Sequence, residues 1–264
     1  MYEFKYHRPA TLDEAAKIHS AAADAQYLAG GQSLLPSLKF RLSQPSDVID
    51  LSRVENLDFI TDEGAALLIG GATPHADVAA SDVVKGAIPA LAGLAELIGD
   101  PQVRNCGTLG GAIANNDPAA DYPAALLGLG AVVITTSREI SADDFFTDMF
   151  ETALQEGEII TAVRFPKAAK AGYSNFPNPA SRYAIVGVFA AETASGMRIA
   201  VTGAGPCVFR ATDIEAALGT ALSSCAELPA PAADGLNSDM HASAEYRAHL
   251  VTVMAARAIA EAIG

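Results

Sequence analysis

Ala29-Gly30-Gly31-Gln32-Ser33-Leu34 joins a short apolar strand, Gln26-Tyr27-Leu28-Ala29, to a helical or turn segment around Leu34 to Phe40. Adjacent glycines permit positive φ and let successive backbone N–H groups converge on an anion with no Cβ in the way. Ser33 adds a hydroxyl donor, and the following helix would offer its positive end. A glycine pair alone more often marks a tight turn. A second stretch lies about 75 residues on: Arg104-Asn105-Cys106-Gly107-Thr108-Leu109-Gly110-Gly111-Ala112, continuing through Asn115-Asn116-Asp117-Pro118-Ala119-Ala120-Asp121. Asp121 could accept hydrogen bonds from sugar or polyol hydroxyls, or cap a helix ahead of Tyr122-Pro123. Two such loops in one small acidic chain fit a pyrophosphate held between two backbone cradles. A β-branched residue at Gly31 or Gly110 should then expel the ligand and spare the fold.

Around these loops the chain alternates helical and extended patterns. Thr11-Leu12-Asp13-Glu14 reads as a capping box before an Ala-rich helix, and Asp47 to Leu51 as a strand. Ala66 to Ala72 reads as a buried strand, with Thr73 as N-cap and Pro74 as first residue of the next helix. Pro89 to Ile98 has helical spacing, whereas Asp100 to Asp121 holds too many loop formers for a regular element. Strands follow at 131–135 and 159–165, then a linker-like stretch over 167–180 with Gly172, Pro177 and Pro179. Tyr183–Ala191 and Met197–Thr202 form a hairpin around Ser195-Gly196. A last helix from about Ser243 carries Tyr246, Leu250, Val253 and Met254 on one stripe. Strands and helices mixed without strict βαβ alternation give an α+β class.

Composition narrows the partners. The 264 residues include 31 acids and 17 bases, a formal charge of −14. Nucleic acid and anionic membrane need clustered Lys and Arg, so neither is expected. The longest apolar stretch, Pro123 to Ile134, is too short for a membrane span and is interrupted by Gly128 and Gly130. With no secretory leader read at the start and three scattered cysteines, Cys106, Cys207 and Cys225, a reducing cytoplasmic setting is expected. No P-loop or GxGxxG occurs, Ser33 lacks a GxSxG frame, and the five histidines show no metal-ligand spacing. His75 reads as a local structural residue rather than a base. No catalytic residue and no metal site are expected.

The two glycine loops, with Asp117-Pro118-Ala119-Ala120-Asp121, resemble the FAD-binding loops of the medium flavoprotein subunit of molybdenum hydroxylases. That group includes carbon monoxide dehydrogenase and xanthine dehydrogenase-type enzymes. The likeness extends through Gly70-Gly71-Ala72-Thr73, Asn178 to Ala184 and Ala244 to Leu250, and so covers essentially the whole chain. It implies three parts: an N-terminal FAD-binding subdomain (1–53), a central α+β FAD-binding subdomain (54–166) and a C-terminal subdomain (167–264) with a three-stranded sheet and helices. FAD would lie between the first two. Ala29, Gly30, Gly31, Gln32, Ser33 and Leu34, with Thr108, Leu109, Gly110, Gly111 and Ala112, would contact it. Asp121 would take ribityl or ribose hydroxyls. Ile160 matches an apolar residue near flavin or adenine, and Tyr183 falls where some relatives place an aromatic beside the isoalloxazine, though it equally reads as a core aromatic of the hairpin. Gln32 and Cys106 depart from residues common in the group.

The resemblance further implies an electron-transfer role. The chain would take electrons from the iron–sulfur clusters of a small partner subunit and pass them to a terminal acceptor. A large subunit would carry the molybdenum cofactor, with the whole paired as a dimer of heterotrimers. Two other functions compete: a stand-alone FAD oxidoreductase with its own substrate, and a nucleotide-binding scaffold with no redox role.

Overall fold

The computed structural model describes residues 1–219, 222 and 227–264; Cys225 lies outside them. The chain opens with β1 (Lys5–His7), α1 (Leu12–Ala21), β2 (Ala25–Leu28), α2 (Leu34–Lys39) and β3 (Asp47–Asp50). At the capping box, Glu14 N donates to Thr11 Oγ1 at 3.2 Å and Ala10 N donates to the Glu14 carboxylate at 2.9 Å. The three strands form a parallel sheet in the order β1-β3-β2, and all four residues of β3 are buried. Asp47 and Asp50 tolerate that position because each has a partner on β1. His7 Nε2 lies 2.7 Å from Asp47, and the Tyr6 hydroxyl donates to Asp50. β1 has no apolar alternation to reveal it in the sequence. The C-terminal end of β2 releases the chain directly into Gly30-Gly31, the edge where parallel sheets present ligand loops.

The central part contains β4 (Ile60–Asp62), β5 (Ala66–Gly70), α3 (His75–Ala80), α4 (Asp82–Ala87) and α5 (Pro89–Leu97). Next come α6 (Pro101–Arg104), α7 (Leu109–Asn115), α8 (Tyr122–Leu129), β6 (Val132–Thr135), β7 (Glu139–Ser141) and α9 (Ala142–Phe145). A small hairpin, β8 (Phe146–Asp148) and β9 (Glu151–Thr152), leads to β10 (Ile160–Pro166). The sheet is antiparallel, in the order β4-β5-β10-β6-β7. Leu67, Ile69, Val163 and Phe165 on its strands pack with Leu91, Leu94, Leu109 and Ile113 on its helices.

Two expectations are corrected here. Pro74, not Thr73, caps α3; Thr73 is withdrawn to hold Phe59, accepting from its N–H and donating to its carbonyl. The Asp100–Asp121 region is not irregular: it contains α6 and α7. Asp100 caps α6, with Val103 N donating to its carboxylate at 2.9 Å, and Thr108 caps α7. Those caps outweigh the intrinsic cost of Gly110 and Gly111 in a first helical turn.

The C-terminal part has β11 (Lys170–Pro177), β12 (Ala184–Thr193), β13 (Gly196–Thr202), β14 (Phe209–Arg210), α10 (Thr212–Leu218) and α11 (Ala244–Ile263). Its antiparallel sheet, β11-β12-β13-β14, adds a two-residue edge strand to the expected three. The linker reading of 167–180 fails, since most of that stretch is β11. Gly172, which resembles a linker glycine, lets α11 lie against the strand: a Cβ there would sit 2.1 Å from the carbonyl of Ala258. Leu250 and Met254 bury against this sheet, while Tyr246 at the end of the stripe is 43% exposed. All eight residues of α8 are buried, since the helix is enclosed between the central sheet and β12–β13. This enclosure explains the apolar stretch that begins at Pro123.

Candidate functional site

Between the N-terminal and central parts lies a cleft of about 610 Å³, within the range of small-molecule sites. Gly30 and Gly31 enter it from one side, Gly110 and Gly111 from the other. The two loops touch: a Cβ on Gly30 would lie 2.1 Å from the carbonyl oxygen of Cys106. Gly31 has φ +72°, a conformation that strains any L side chain.

Hydrogen bonding separates the loops. The N–H groups of Gly30, Gly31, Gln32, Ser33 and Leu34 donate to no protein acceptor among the described residues. The Ser33 hydroxyl is similarly unengaged, because it does not cap α2. In the second loop the four amides from Leu109 to Ala112 are all used. Leu109 N donates to Thr73 O at 3.0 Å, Gly110 N to Gly71 O at 2.8 Å and Ala112 N to Thr108 O at 3.0 Å. Gly111 N donates to Thr108 Oγ1 at 3.1 Å. Gly110 is there for space, since a Cβ would stand 2.5 Å from Gly71 O. The expectation that a β-branched residue at Gly110 would spare the fold is therefore wrong.

Among the described residues no lysine or arginine lines the cleft, whereas Asp117, Asp121 and Glu158 do. An anionic ligand must therefore be held by backbone dipoles and hydroxyls rather than by side-chain cations. Unused amides, an unengaged hydroxyl and a glycine floor fit the pyrophosphate of a dinucleotide such as FAD.

Of the residues singled out in the sequence, Ala29 to Leu34, Thr108, Gly110, Gly111, Ala112, Asp121, Ile160 and Tyr183 all line the cleft. Leu109 does not: its side chain is fully buried in the central core. Ile160 presents an apolar wall, and Tyr183, 52% exposed, stands at the mouth. Asp121 is buried and makes no capping bond to α8, so the cap alternative fails. Instead the Tyr173 hydroxyl donates to its Oδ1, and Asn175 Nδ2 donates to the same atom at 3.1 Å. Burial raises its pKa to about 6 against the opposing pull of those donors.

Sequence reasoning gave no role to several lining residues. Gly71 supplies the carbonyl that holds Gly110. The His75 and Tyr122 rings meet at a tilt, centroids 5.3 Å apart, and His75 Nδ1 and Tyr122 Oη are buried without partners among the described residues. Burial, with Arg104 nearby, lowers the His75 pKa to about 4, so its imidazole is neutral near pH 7. Glu158 is the opposite of Asp121: hydrogen bonds from Arg138, helped by Gln155 N and the Thr135 and Ser137 hydroxyls, hold its carboxyl at about 2. A lone Glu before two isoleucines carries no sequence signal of that network.

Family patterns cover nearly the whole chain. The FAD binding domain in molybdopterin dehydrogenase matches residues 2–168, and the CO dehydrogenase flavoprotein C-terminal domain matches 171–262. The nicotine 6-hydroxylase medium subunit of Paenarthrobacter nicotinovorans is 37% identical, over 98% of this chain and 96% of that protein. The carbon monoxide dehydrogenase medium chain of Hydrogenophaga pseudoflava is 36% identical over 78% of this chain and 77% of its own. Among solved structures, carbon monoxide dehydrogenase from Hydrogenophaga pseudoflava superposes with a TM-score of 0.88 at 34% identity, over 99% of this chain and 98% of that one. Quinoline 2-oxidoreductase from Pseudomonas putida 86 gives 0.89 at 30% identity, over 99% and 97%. The chain belongs to the family of FAD-binding flavoprotein subunits of molybdenum hydroxylases that includes the carbon monoxide dehydrogenase medium chain.

Proposed function

We propose that FAD lies in this cleft with its pyrophosphate on the free amides of Gly31, Gln32 and Ser33. The observation that carries this reading is the run of unused donors from Gly30 to Leu34, beside a second loop whose amides from Leu109 to Ala112 are spent. FAD supplies the chemistry of taking up and releasing electrons. The chain's residues bind, orient and shield it. The Ser33 hydroxyl adds a donor to the pyrophosphate, while Thr108, Gly111 and Ala112 pack against it. Asp121 accepts from ribityl or ribose hydroxyls, and Ile160 and Tyr183 cover ring surfaces. The divisions 1–53, 54–166 and 167–264 serve this site as two walls and a support.

In this reading the chain is the electron-transfer member of a larger assembly. Its partners are a small iron–sulfur subunit and a large molybdenum-cofactor subunit, joined as a dimer of heterotrimers in the cytoplasm. The word "medium" in the names of the nicotine 6-hydroxylase and carbon monoxide dehydrogenase relatives supports a multisubunit setting. His75, whose pKa is lowered by burial to about 4, is a weak proton acceptor and so a poor base for a substrate oxidation of the chain's own.

The test has two parts. Purified chain mixed with FAD should retain oxidised flavin absorption through gel filtration, and should comigrate with the two partner subunits when co-expressed. Alone it should oxidise no hydroxylase substrate. Loss of the flavin on the column, or turnover by the single chain, would overturn the proposal.

A further inference from the structure

The cleft lies between the first two parts of the chain, yet one of its lining carboxylates is held from the third. Tyr173 and Asn175 are both on β11, and both donate to the same oxygen of Asp121. Across the sheet Asn175 pairs with Gly187, and Gly187 with Thr202, so the three form one row. Gly187 leaves the gap that the tyrosine needs: a Cβ there would be 2.5 Å from the Tyr173 hydroxyl. At the end of the row the Thr202 hydroxyl donates to Ala120 O at 2.6 Å, and Gly203 N donates to Pro118 O at 2.8 Å. The segment from Pro118 to Asp121 is therefore seated on the C-terminal sheet by both backbone and side chain.

The geometry points to Tyr173 and Asn175 as positioning residues for FAD: by saturating Oδ1 of Asp121 they leave Oδ2 as the acceptor offered to a cofactor hydroxyl. No side chain among the described residues donates to Oδ2, and Asp121 lines the cleft. The C-terminal sheet thus takes part in cofactor binding without touching the cofactor. The inference rests on the proposed contact between Asp121 and FAD.

The chemistry also sets a pH dependence. The titratable groups around this carboxyl are Tyr173 on β11, Tyr122 at the start of α8, and Tyr183, which feels the charges of both Asp121 and Asp117. Burial raises both Tyr122 and Tyr173, keeping them protonated near neutrality. Oδ2 is a strong acceptor only when Asp121 is ionised, so FAD affinity should fall as pH drops through about 6. Removing a donor to Oδ1 disfavours the ionised form further and moves that midpoint upward.

Flavin-fluorescence titrations of the full-length chain between pH 5 and pH 9 test this. Tyr173→Phe keeps the buried ring, and Asn175→Ala removes the second donor should the first variant fold poorly. Either should weaken FAD binding about tenfold near pH 7, with the midpoint shifted to higher pH and much of the loss recovered at pH 9. Wild-type affinity and midpoint in both, alongside weakened binding in Asp121→Asn, would overturn the positioning role and leave the Asp121 contact standing. Unchanged binding in Asp121→Asn as well would remove that contact and the inference with it.

Discussion

The two glycine loops look alike in sequence and differ in what their backbones are free to do. The first, Gly30 to Leu34, lines the cleft with N–H groups that have no protein acceptor among the described residues. The second, Thr108 to Ala112, has each amide from Leu109 onward bonded to Gly71, Thr73 or Thr108, and its glycines allow close backbone packing. Glycine richness therefore has two causes within one site. In the proposed reading one loop is shaped for a ligand, while the other is shaped by its neighbours. The same residue type should produce opposite phenotypes in the two places.

Gly110→Val should give the largest effect. Its Cβ would meet the Gly71 carbonyl at 2.5 Å, an overlap with backbone that cannot be relieved by a rotamer change. A loss of about 3 kcal/mol or more is expected, visible as a lowered melting temperature or insoluble protein before any FAD is added. A normally folded apo-protein that has merely lost FAD would break the distinction between the loops.

Asp121→Asn should act in the other direction on stability. The folded pKa of about 6 lies above the ordinary carboxylate value of 3.8, so ionising this group costs more in the fold than in the unfolded chain. That penalty is absent below pH 3.8, grows as pH rises toward 6 and is complete above it. At pH 7.5 the variant apo-protein should be more stable than wild type by up to about 3 kcal/mol, as denaturant melts would show. At pH 4 the gain should have largely gone. Glu158 is the internal control. Its pKa of about 2 lies below the ordinary 4.5, so its contribution is present above pH 4.5 and lost as pH falls toward 2.

Thr108→Ala removes the acceptor of Gly111 N, and a lost N-cap costs about 1 kcal/mol of apo stability. Thr108→Ser should restore most of it. Ser33→Ala should be the smallest and cleanest change: apo stability within about 0.5 kcal/mol of wild type, and FAD binding weakened roughly threefold to tenfold. A stability loss at Ser33 with unaltered FAD binding would reverse the assignment.

Much of the cleft's lining was legible because its signals are local. The glycine pair after an apolar strand, the Thr11–Glu14 capping box and the Ser195-Gly196 hairpin each lie within a few residues, where turn and cap chemistry acts. Long-range partners were not legible. Asp121 depends on Tyr173 and Asn175, which are 52 and 54 positions away, and no pattern around Asp121 announces them. Elements were missed where packing overrides composition. Gly172 and Pro177 disguise β11 as a linker, and Gly110 and Gly111 disguise the capped start of α7 as a loop. Leu109 was grouped with the ligand contacts because the motif contains it, although its side chain turns into the core between two cleft-facing positions.

In the proposed reading the free amides of the first loop receive the FAD pyrophosphate. Amide hydrogen exchange, resolved by residue in the full-length chain with and without FAD, reads those donors directly. In the apo-protein Gly31, Gln32 and Ser33 should exchange fast, while Leu109 to Ala112 are already protected; adding FAD should slow the first group markedly and change the second little. Slow exchange at Gly31 to Ser33 before FAD is added, or protection by FAD confined to Leu109 to Ala112, would contradict the account.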